Sequence, residues 1–254
     1  MPDKEMSNAK RNVIILTSGL TGSSVLTGLI SRGGFWTGDT HKKEDYDTYE
    51  NKRLIELNLG LFRQANYTGN YLTEFSRDAM ARIASLHGRI DEKPYRDFLA
   101  TCNENAPWVW KDPRLWMTIR FWKDLVDLNR CSFVVLTREY LQCWVSATLR
   151  RQIRSYRDSR MYEQLVKDSA VDFLKENKLS YLQIGYEELI LTPLEAVGKL
   201  NHYLGSSLAV DDLKAIYHKP LYKAPRSSPV DVCKAVMIYM KNYGQRVDAL
   251  AGKK

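Results

Sequence analysis

Small residues that could hold an anion follow the first apolar run of the chain. The β-branched run 13–16 reads as a strand buried on both faces, residues 17–22 form a glycine-containing turn, and Ser23 and Ser24 open a segment with helical periodicity. The first amides of a helix have no intrahelical acceptor and carry partial positive charge, so a phosphate or sulfate fits such a strand, loop and helix. An ordinary connection in which Ser23 only caps the helix explains the same residues equally well.

Charged residues follow two further predicted strands. Lys111-Asp-Pro-Arg114 comes directly after the aromatic segment 107–110, and Arg138 ends the apolar run 131–137. Parallel strands end at one edge of a sheet, so these side chains are expected near the first turn. Ser146 lies two turns up the next predicted helix, where it and Arg138 could converge on one phosphate. A surface arginine and a surface serine are the plain alternative.

The order of the elements predicts an α/β fold in a single domain, 12–254, after a flexible tail at 1–11. Strands separated by helices indicate a parallel β-sheet flanked by helices, with a P-loop-like strand, loop and helix as the phosphate site. A helical insertion is expected at about 35–105, opening with a polar loop at 35–47 and a helix from Tyr46. The other strand is predicted at 179–186, and the other helices are predicted at 78–87, after Pro94, and at 115–128, 140–160, 165–176, 194–204, 211–217 and 230–250.

Composition restricts the class of protein. The chain has 254 residues, of which 44% are apolar and 27% are charged, and this is typical of a soluble globular domain. The formal charge of +8 favours an anionic partner without choosing between nucleotide, nucleic acid and membrane. The four cysteines form no CxxC pair, so neither a zinc site nor a disulfide framework is predicted, and a cytoplasmic location is expected. No secretory signal or membrane span is predicted, and nothing indicates an oligomeric state.

The motifs together resemble the PAPS-dependent sulfotransferases, where PAPS is 3′-phosphoadenosine 5′-phosphosulfate. The resemblance is closest to the bacterial branch whose loop reads Arg-Ser-Gly-Thr-Ser, and it covers about residues 12–205. The motifs that carry it are Thr21-Gly-Ser-Ser24, Lys111-Asp-Pro-Arg114, Arg138 with Ser146, and Tyr186-Glu-Glu-Leu with Pro193. Their order and spacing make the set more specific than any one of them.

The resemblance implies a donor site and an acceptor. PAPS would give 3′,5′-ADP after transfer to a hydroxyl or amine of a small molecule, lipid or glycan. Arg138 and Ser146 would bind the 3′-phosphate, and Tyr186 would lie near the adenine. A basic loop with Lys223 and Arg226 would close over the nucleotide, although the Arg-Lys-Gly signature of cytosolic relatives is missing. The 5′-phosphosulfate would lie at Leu20, Thr21, Gly22, Ser23 and Ser24.

One position departs from the family pattern. Leu20 stands where the family loop has Arg or Lys, a side chain that faces the 5′-phosphate and the departing oxygen. Loss of such a contact costs several kcal/mol unless another cation replaces it. Lys111 is the expected replacement, because its strand should be close to the first one. The alternative is that Lys111 or Arg114 pairs with an acid and only orders the turn.

The reaction needs a base and no metal. Sulfuryl transfer should follow the pattern of phosphoryl transfer, with in-line attack and a loose transition state, so positioning and electrostatics supply most of the catalysis. Glu50, in Tyr49-Glu50-Asn51, is the proposed base because the resembling branch has a comparable segment, and His41 is the second candidate. Each of the two could equally be an ordinary surface residue. No clustered metal ligands are present in the sequence.

Three other functions compete with this reading. A P-loop kinase would need the Lys of G-x-x-x-x-G-K-[ST], which Gly19-Leu-Thr-Gly-Ser-Ser lacks. The chain could instead be a non-catalytic nucleotide-binding relative, in which Leu20 in place of a basic residue reflects the loss of the transfer activity. Nucleic acid is not expected as a partner, but Arg150, Arg154 and Arg157 fall on one stripe of the predicted helix 140–160 and would suit it. A solvated basic face is the default explanation of that stripe.

Overall fold

Strands alternate with helices along the chain. The computed structural model describes residues 10–43, 46–217 and 226–246. In chain order their elements are β1 (Asn12–Leu16), α1 (Ser23–Arg32), β2 (Thr40–Lys42), β3 (Asp47–Asn51), α2 (Lys52–Gln64), α3 (Arg77–Ala84), α4 (Lys93–Glu104), β4 (Val109–Lys111), α5 (Leu115–Trp122), β5 (Cys131–Thr137), α6 (Tyr140–Leu149), α7 (Tyr156–Glu176), β6 (Tyr181–Gly185), α8 (Tyr186–Leu191), α9 (Pro193–Leu204), α10 (Val210–Ile216) and α11 (Pro229–Lys241).

The main sheet is parallel, as predicted, and β1 lies inside it. Its order is β4-β1-β5-β6. Lys111 pairs with Ile15, and Leu16 pairs with Val135, so β4, β1 and β5 end close together. The turns that follow these strands therefore share one edge of the sheet, where ligands bind in parallel α/β folds.

Helices cover both faces of the sheet. Val13 and Ile15 point to the face packed by α1 and by α8 to α10, and Ile14 and Leu16 point to the face packed by α2 to α5 and α7. This alternation follows from the two-residue period of a strand, and it requires the apolar run that the sequence shows. The second face is rich in buried indoles, namely Trp108, Trp110, Trp116 and Trp122.

The predicted polar loop at 35–47 and the helix expected from Tyr46 are wrong in one respect. Strands β2 and β3 form an antiparallel hairpin there, so the insertion of 35–105 is not wholly helical. Helix α2 starts only at Lys52, because the Asn51 side chain accepts hydrogen bonds from the amides of Arg53 and Leu54. The capping asparagine thus separates strand from helix, and it leaves Glu50 on the strand.

The helix predicted over 140–160 is two helices. Helix α6 ends at Leu149, Arg151 takes a left-handed φ of 63°, and Ser155 caps the start of α7 through the amide of Asp158. Helix α7 then runs to Glu176 and includes the helix predicted at 165–176. The stripe of three arginines does not exist as a continuous surface, because Arg154 is buried in the break with 2% exposure.

Candidate active site

Two residues of the turn after β1 have a left-handed backbone. Leu20 has a φ of 67° and Gly22 a φ of 85°, and both values lie in the left-handed region. Left-handed residues within a turn bring successive amides to one concave side, which suits a phosphate or sulfate. A Cβ at Gly22 would lie 2.2 Å from the ring of Tyr186, so only glycine fits there. Non-glycine residues are uncommon at such a φ, so the backbone at Leu20 is strained.

Hydroxyl groups hold this turn to its neighbours. Thr17 Oγ1 donates to the carbonyl oxygen of Leu136 at 3.0 Å and lies 2.6 Å from Thr21 Oγ1. Since a hydroxyl has one proton, Thr21 must donate to Thr17. Ser18 donates its hydroxyl proton to Glu163 Oε2 on α7. The turn is therefore fixed to β5 on one side and to α7 on the other.

Arg138 lies against this turn, as the sequence predicts. Its Nη1 donates to the carbonyl oxygen of Leu20 at 3.1 Å and to Ser146 Oγ at 3.0 Å. The guanidinium lies 5.1 Å from the centre of the Tyr186 ring, and its Nε is 3.9 Å from a carboxylate oxygen of Glu187. The arginine side chain is 2% exposed, so its charge is held at one place beside the turn. Arg138, Ser146 and Tyr186 are thus brought together.

Lys111 joins the turn to the hairpin. Its Nζ lies 2.6 Å from Glu50 Oε1, 3.1 Å from the carbonyl oxygen of Thr48 and 3.3 Å from Ser24 Oγ. The lysine is 3% exposed, and its acceptors compensate for the lost hydration of the ammonium. A buried cation therefore stands beside the first turn of α1. This is the lysine that the sequence predicts as the replacement for a cation at position 20.

A buried network fixes the turn that carries Lys111. Asp112 is fully buried and accepts hydrogen bonds from Arg114 Nη1 at 2.8 Å and from Asn58 Nδ2 at 2.9 Å. Burial raises the pKa of Asp112, and the Arg114 cation opposes that shift. Asn58 accepts from the indole of Trp122 at 2.9 Å, and Arg114 Nη2 donates to the Tyr71 hydroxyl at 2.7 Å. Arg114, and not Lys111, is the partner of Asp112.

Sequence reasoning missed several members of this network. Asn58 is fully buried, although it sits on the apolar side of α2 beside Leu54, Leu57 and Leu61. A polar residue on an apolar helix face needs a buried partner, and that pattern is the signal that could have found it.

Glu163 and Arg154 were also missed as a pair. Burial raises the pKa of Glu163 to about 7, against the opposing effects of Arg154, the Ser18 hydroxyl and Arg138. Arg154 Nη2 lies 3.7 Å from Glu163 Oε1, and its guanidinium lies 4.7 Å from the centre of the Tyr162 ring. The pair connects the break between α6 and α7 to the turn after β1.

Among the described residues, the other predicted site residues are His41, Arg226 and Ser23. His41 is exposed on β2, and its backbone carbonyl oxygen accepts the Thr48 hydroxyl. Arg226 is exposed, and the next residue, Ser227, donates its amide and its hydroxyl to Gln142 on α6. Lys223 lies outside the described residues. Ser23 is buried at the start of α1, where its carbonyl oxygen accepts the Thr27 hydroxyl.

Comparison by sequence finds no matching family model and no matching curated protein. Comparison by structure does find matches. The chain superposes on the sulfotransferase domain of the Synechococcus PCC 7002 olefin synthase with a TM-score of 0.52 and 15% identity, covering 94% of this chain and 97% of that domain. The chain has the sulfotransferase fold. The sulfotransferase domain of the curacin biosynthetic pathway has a similar score of 0.51 and 16% identity, covering 88% of this chain and 82% of that one.

In this fold, the turn between β1 and α1 lies at the edge of the sheet where β4, β1 and β5 end. Identities of 15% and 16% support a shared fold, and the residues of the site have to be argued from their own geometry. Within the described ranges, no group of three or more His, Cys, Asp or Glu residues could hold a metal ion. No helix in those ranges is long and apolar enough to cross a membrane.

Proposed function

We propose that this protein is a PAPS-dependent sulfotransferase that transfers a sulfuryl group to a hydroxyl or amine of a small molecule, lipid or glycan and releases 3′,5′-ADP. The chain has the sulfotransferase fold, and one observation in its candidate active site supports the proposal most strongly. The buried ammonium of Lys111 stands between Ser24, in the first turn of α1, and the carboxylate of Glu50. A cation and a base side by side at an anion-binding turn are what sulfuryl transfer requires.

The residues around the turn fit the two anionic ends of the donor. Arg138 and Ser146 offer a guanidinium and a hydroxyl for a phosphate, and charge-assisted bonds of this kind are about twice as strong as neutral ones. The amides and hydroxyls of 20–24 suit the phosphosulfate. Tyr186 packs against both Gly22 and Arg138, so it fixes the position of the turn relative to the Arg138 guanidinium. Lys223 and Arg226 stay proposed as contacts of the closing loop.

Lys111 takes the electrostatic role in this proposal. The donor supplies an activated sulfuryl group, whose transfer leaves negative charge on the departing oxygen. Lys111 holds its ammonium beside the first turn of α1, where that charge would develop. Because it is buried and already oriented by Glu50 and Thr48, it needs no reorganisation during the reaction.

Glu50 takes the role of the base. Lys111 binds its Oε1, and the carboxylate is 19% exposed, so Oε2 can face an acceptor hydroxyl. After accepting the proton of that hydroxyl, Glu50 would be neutral and Lys111 would keep its charge for the departing oxygen. His41, one strand further out, is the second candidate and reaches the site only through its backbone.

The alternatives fit the molecule less well. A kinase site would need a lysine inside the turn, and Lys111 comes instead from β4. A nucleic-acid surface on the arginine stripe is not supported, since Arg154 is buried against Glu163. The remaining alternative, a nucleotide-binding relative without activity, is distinguished by measuring binding and transfer separately.

Calorimetric titration with 3′,5′-ADP tests the donor site. Wild type should bind, Arg138→Ala should lose about 30-fold or more in affinity, and the exposed Arg157→Ala should match wild type. Equal affinity of wild type and Arg138→Ala, or no binding by wild type, contradicts the site. Mass spectrometry of an acceptor library incubated with PAPS tests the transfer. Binding of 3′,5′-ADP without any sulfated product would favour the non-catalytic relative.

A further inference from the structure

A second cleft lies beside the carboxyl ends of β5 and β6, on the face of the sheet that α7 covers. Its volume is about 340 Å³, and its apolar walls come from Leu16, Val135, Val166 and Ala170. Pockets for small molecules span roughly 300–1,000 Å³ and have mostly apolar walls with a few polar groups. The cleft therefore has the size and the lining of a small-ligand site.

Three carboxyl groups and two basic side chains line this cleft. Glu163 is 8% exposed and contributes to the lining with Glu139 and Glu187. Burial raises the pKa of Glu163 to about 7 and also raises that of Glu187. Ser18 binds Glu163 Oε2, and Arg154 lies 3.7 Å from Oε1, beyond hydrogen-bond distance, so a cation in the cleft could add a hydrogen bond at Oε1.

The basic side chains of the lining already have partners. Arg138 donates to Leu20 and Ser146, and Lys167 lies 3.8 Å from Asp168. Among the charged groups of the lining, three carboxyls stand against these two basic side chains. An amine with an apolar body matches that set better than an anion does.

The cleft is separate from the proposed reacting groups. Lys111, Glu50 and Ser24 do not line it, and α1 packs against the other face of the sheet. It still touches the turn after β1, because Ser18 donates its hydroxyl proton to Glu163. Arg138, Thr17 and Ser18 border both the cleft and the proposed donor site, so the two sites are neighbours, and the inference requires that both can be occupied at once.

We infer that this cleft is a second ligand site, which takes a protonated amine carried on a small apolar body, with the ammonium on the Glu163 carboxylate. The apolar body packs between α7 and the side chains of Leu16 and Val135. Arg154, which faces the same carboxyl at 3.7 Å, and Arg138 are the cations that compete with the ammonium. The inference goes beyond the proposed transfer reaction and needs no turnover to be tested.

The test is calorimetric titration of the full chain at pH 8 with 2-phenylethylamine and, separately, with 2-phenylethanol. The two probes share their apolar body and differ in charge, so the amine should bind wild type at least tenfold more tightly. Glu163→Gln should remove that preference. Glu176→Gln, an exposed carboxylate lower on α7, should keep it.

Three results would overturn the inference. They are equal affinity for the amine and the alcohol, an unchanged amine affinity in Glu163→Gln, and loss of amine binding in the presence of saturating 3′,5′-ADP. The comparison of amine and alcohol uses wild type only, so it decides the question even if Glu163→Gln does not fold. Binding of the amine should also weaken from pH 8 to pH 6, as Glu163 gains a proton. Amine binding and 3′,5′-ADP binding are measured in separate titrations. A negative result for the amine therefore contradicts only the second ligand site, and a negative result for 3′,5′-ADP contradicts only the proposed donor site.

Discussion

Lys111 and Glu50 are 61 positions apart in the chain, and their charged atoms lie 2.6 Å apart. The lysine ends β4, and the glutamate lies on β3 of the hairpin, so the pair joins the main sheet to the insertion. A pair this buried stabilises little by itself, because desolvation cancels much of the attraction. Its position beside Ser24 is more informative, since it places a fixed cation at the start of α1.

Replacement of Lys111 by Ala should separate binding from transfer. We expect turnover with PAPS to fall by about 100-fold or more, because the developing charge loses its buried cation. Affinity for 3′,5′-ADP should change less than turnover, since Arg138 and Ser146 stay in place. Steady-state kinetics and calorimetry measure the two effects. Lys52→Ala, which removes only a surface pair with Asp39, is the control, and unchanged turnover in Lys111→Ala would exclude the proposed role.

Glu50→Gln tests the base. The amide can still accept from Lys111 but cannot take a proton, so we expect kcat to fall by about 100-fold with little change in the KM for PAPS. Glu56→Gln removes an exposed carboxylate of α2 and should behave as wild type. A parallel loss of kcat in the two variants, or none in Glu50→Gln, would point to His41 or another group.

Gly22→Ala tests the geometry of the turn. Its φ of 85° and the nearby Tyr186 ring oppose a Cβ, and we expect binding of 3′,5′-ADP to be lost. Gly34 provides a matched control, because its φ is 84° and an added Cβ would meet nothing within 4 Å. Backbone strain should cost each variant about 1 kcal/mol of unfolding free energy. The clash with the Tyr186 ring should add to that loss in Gly22→Ala only. If Gly22→Ala binds 3′,5′-ADP as well as Gly34→Ala does, the turn is not the nucleotide site.

Arg154→Ala should destabilise the fold strongly. At pH 8, where Glu163 is ionised, the substitution leaves this carboxylate buried without its cation, and breaking a buried pair in this way costs about 3–5 kcal/mol. Urea unfolding followed by circular dichroism measures the difference. Arg157→Ala, on the exposed side of α7, should change the unfolding free energy by less than about 0.5 kcal/mol. Similar values for the two variants would mean that the buried pair contributes little.

Glu163 should make stability depend on pH. Its pKa rises from 4.5 to about 7 on folding, so the folded state holds a proton that the unfolded state releases between those values. The contribution of Glu163 to the unfolding free energy is fully present below about pH 4.5, and it is lost as the pH rises to about 7. The loss is about 3 kcal/mol, from the difference between the two pKa values. Glu163→Gln cannot ionise and should show a flatter curve in urea unfolding from pH 5 to 8, and curves of equal slope would contradict the assignment.

The sequence by itself determined the parallel sheet and the turn after β1. The β-branched runs at 13–16 and 131–137 predict buried strands, and the small residues between the first strand and its helix predict the turn. The spacing of Arg138 and Ser146 is also local, since both belong to one strand and the helix that follows it. Because only eight positions separate them, a strand followed by a helix allows few relative positions of the two side chains. In the structure, Arg138 Nη1 lies 3.0 Å from Ser146 Oγ.

Tertiary structure alone decided the pairings between distant segments. No local pattern around Lys111 predicts Glu50 as its partner. The hairpin that carries Glu50 lies where the sequence predicts a loop and a helix. Glu163 meets Ser18 across 145 positions, and the break that buries Arg154 interrupts a pattern that reads as one helix. The physical reason is that local periodicity fixes which face of an element is apolar. Only the packing of whole elements fixes which charged groups share a buried site.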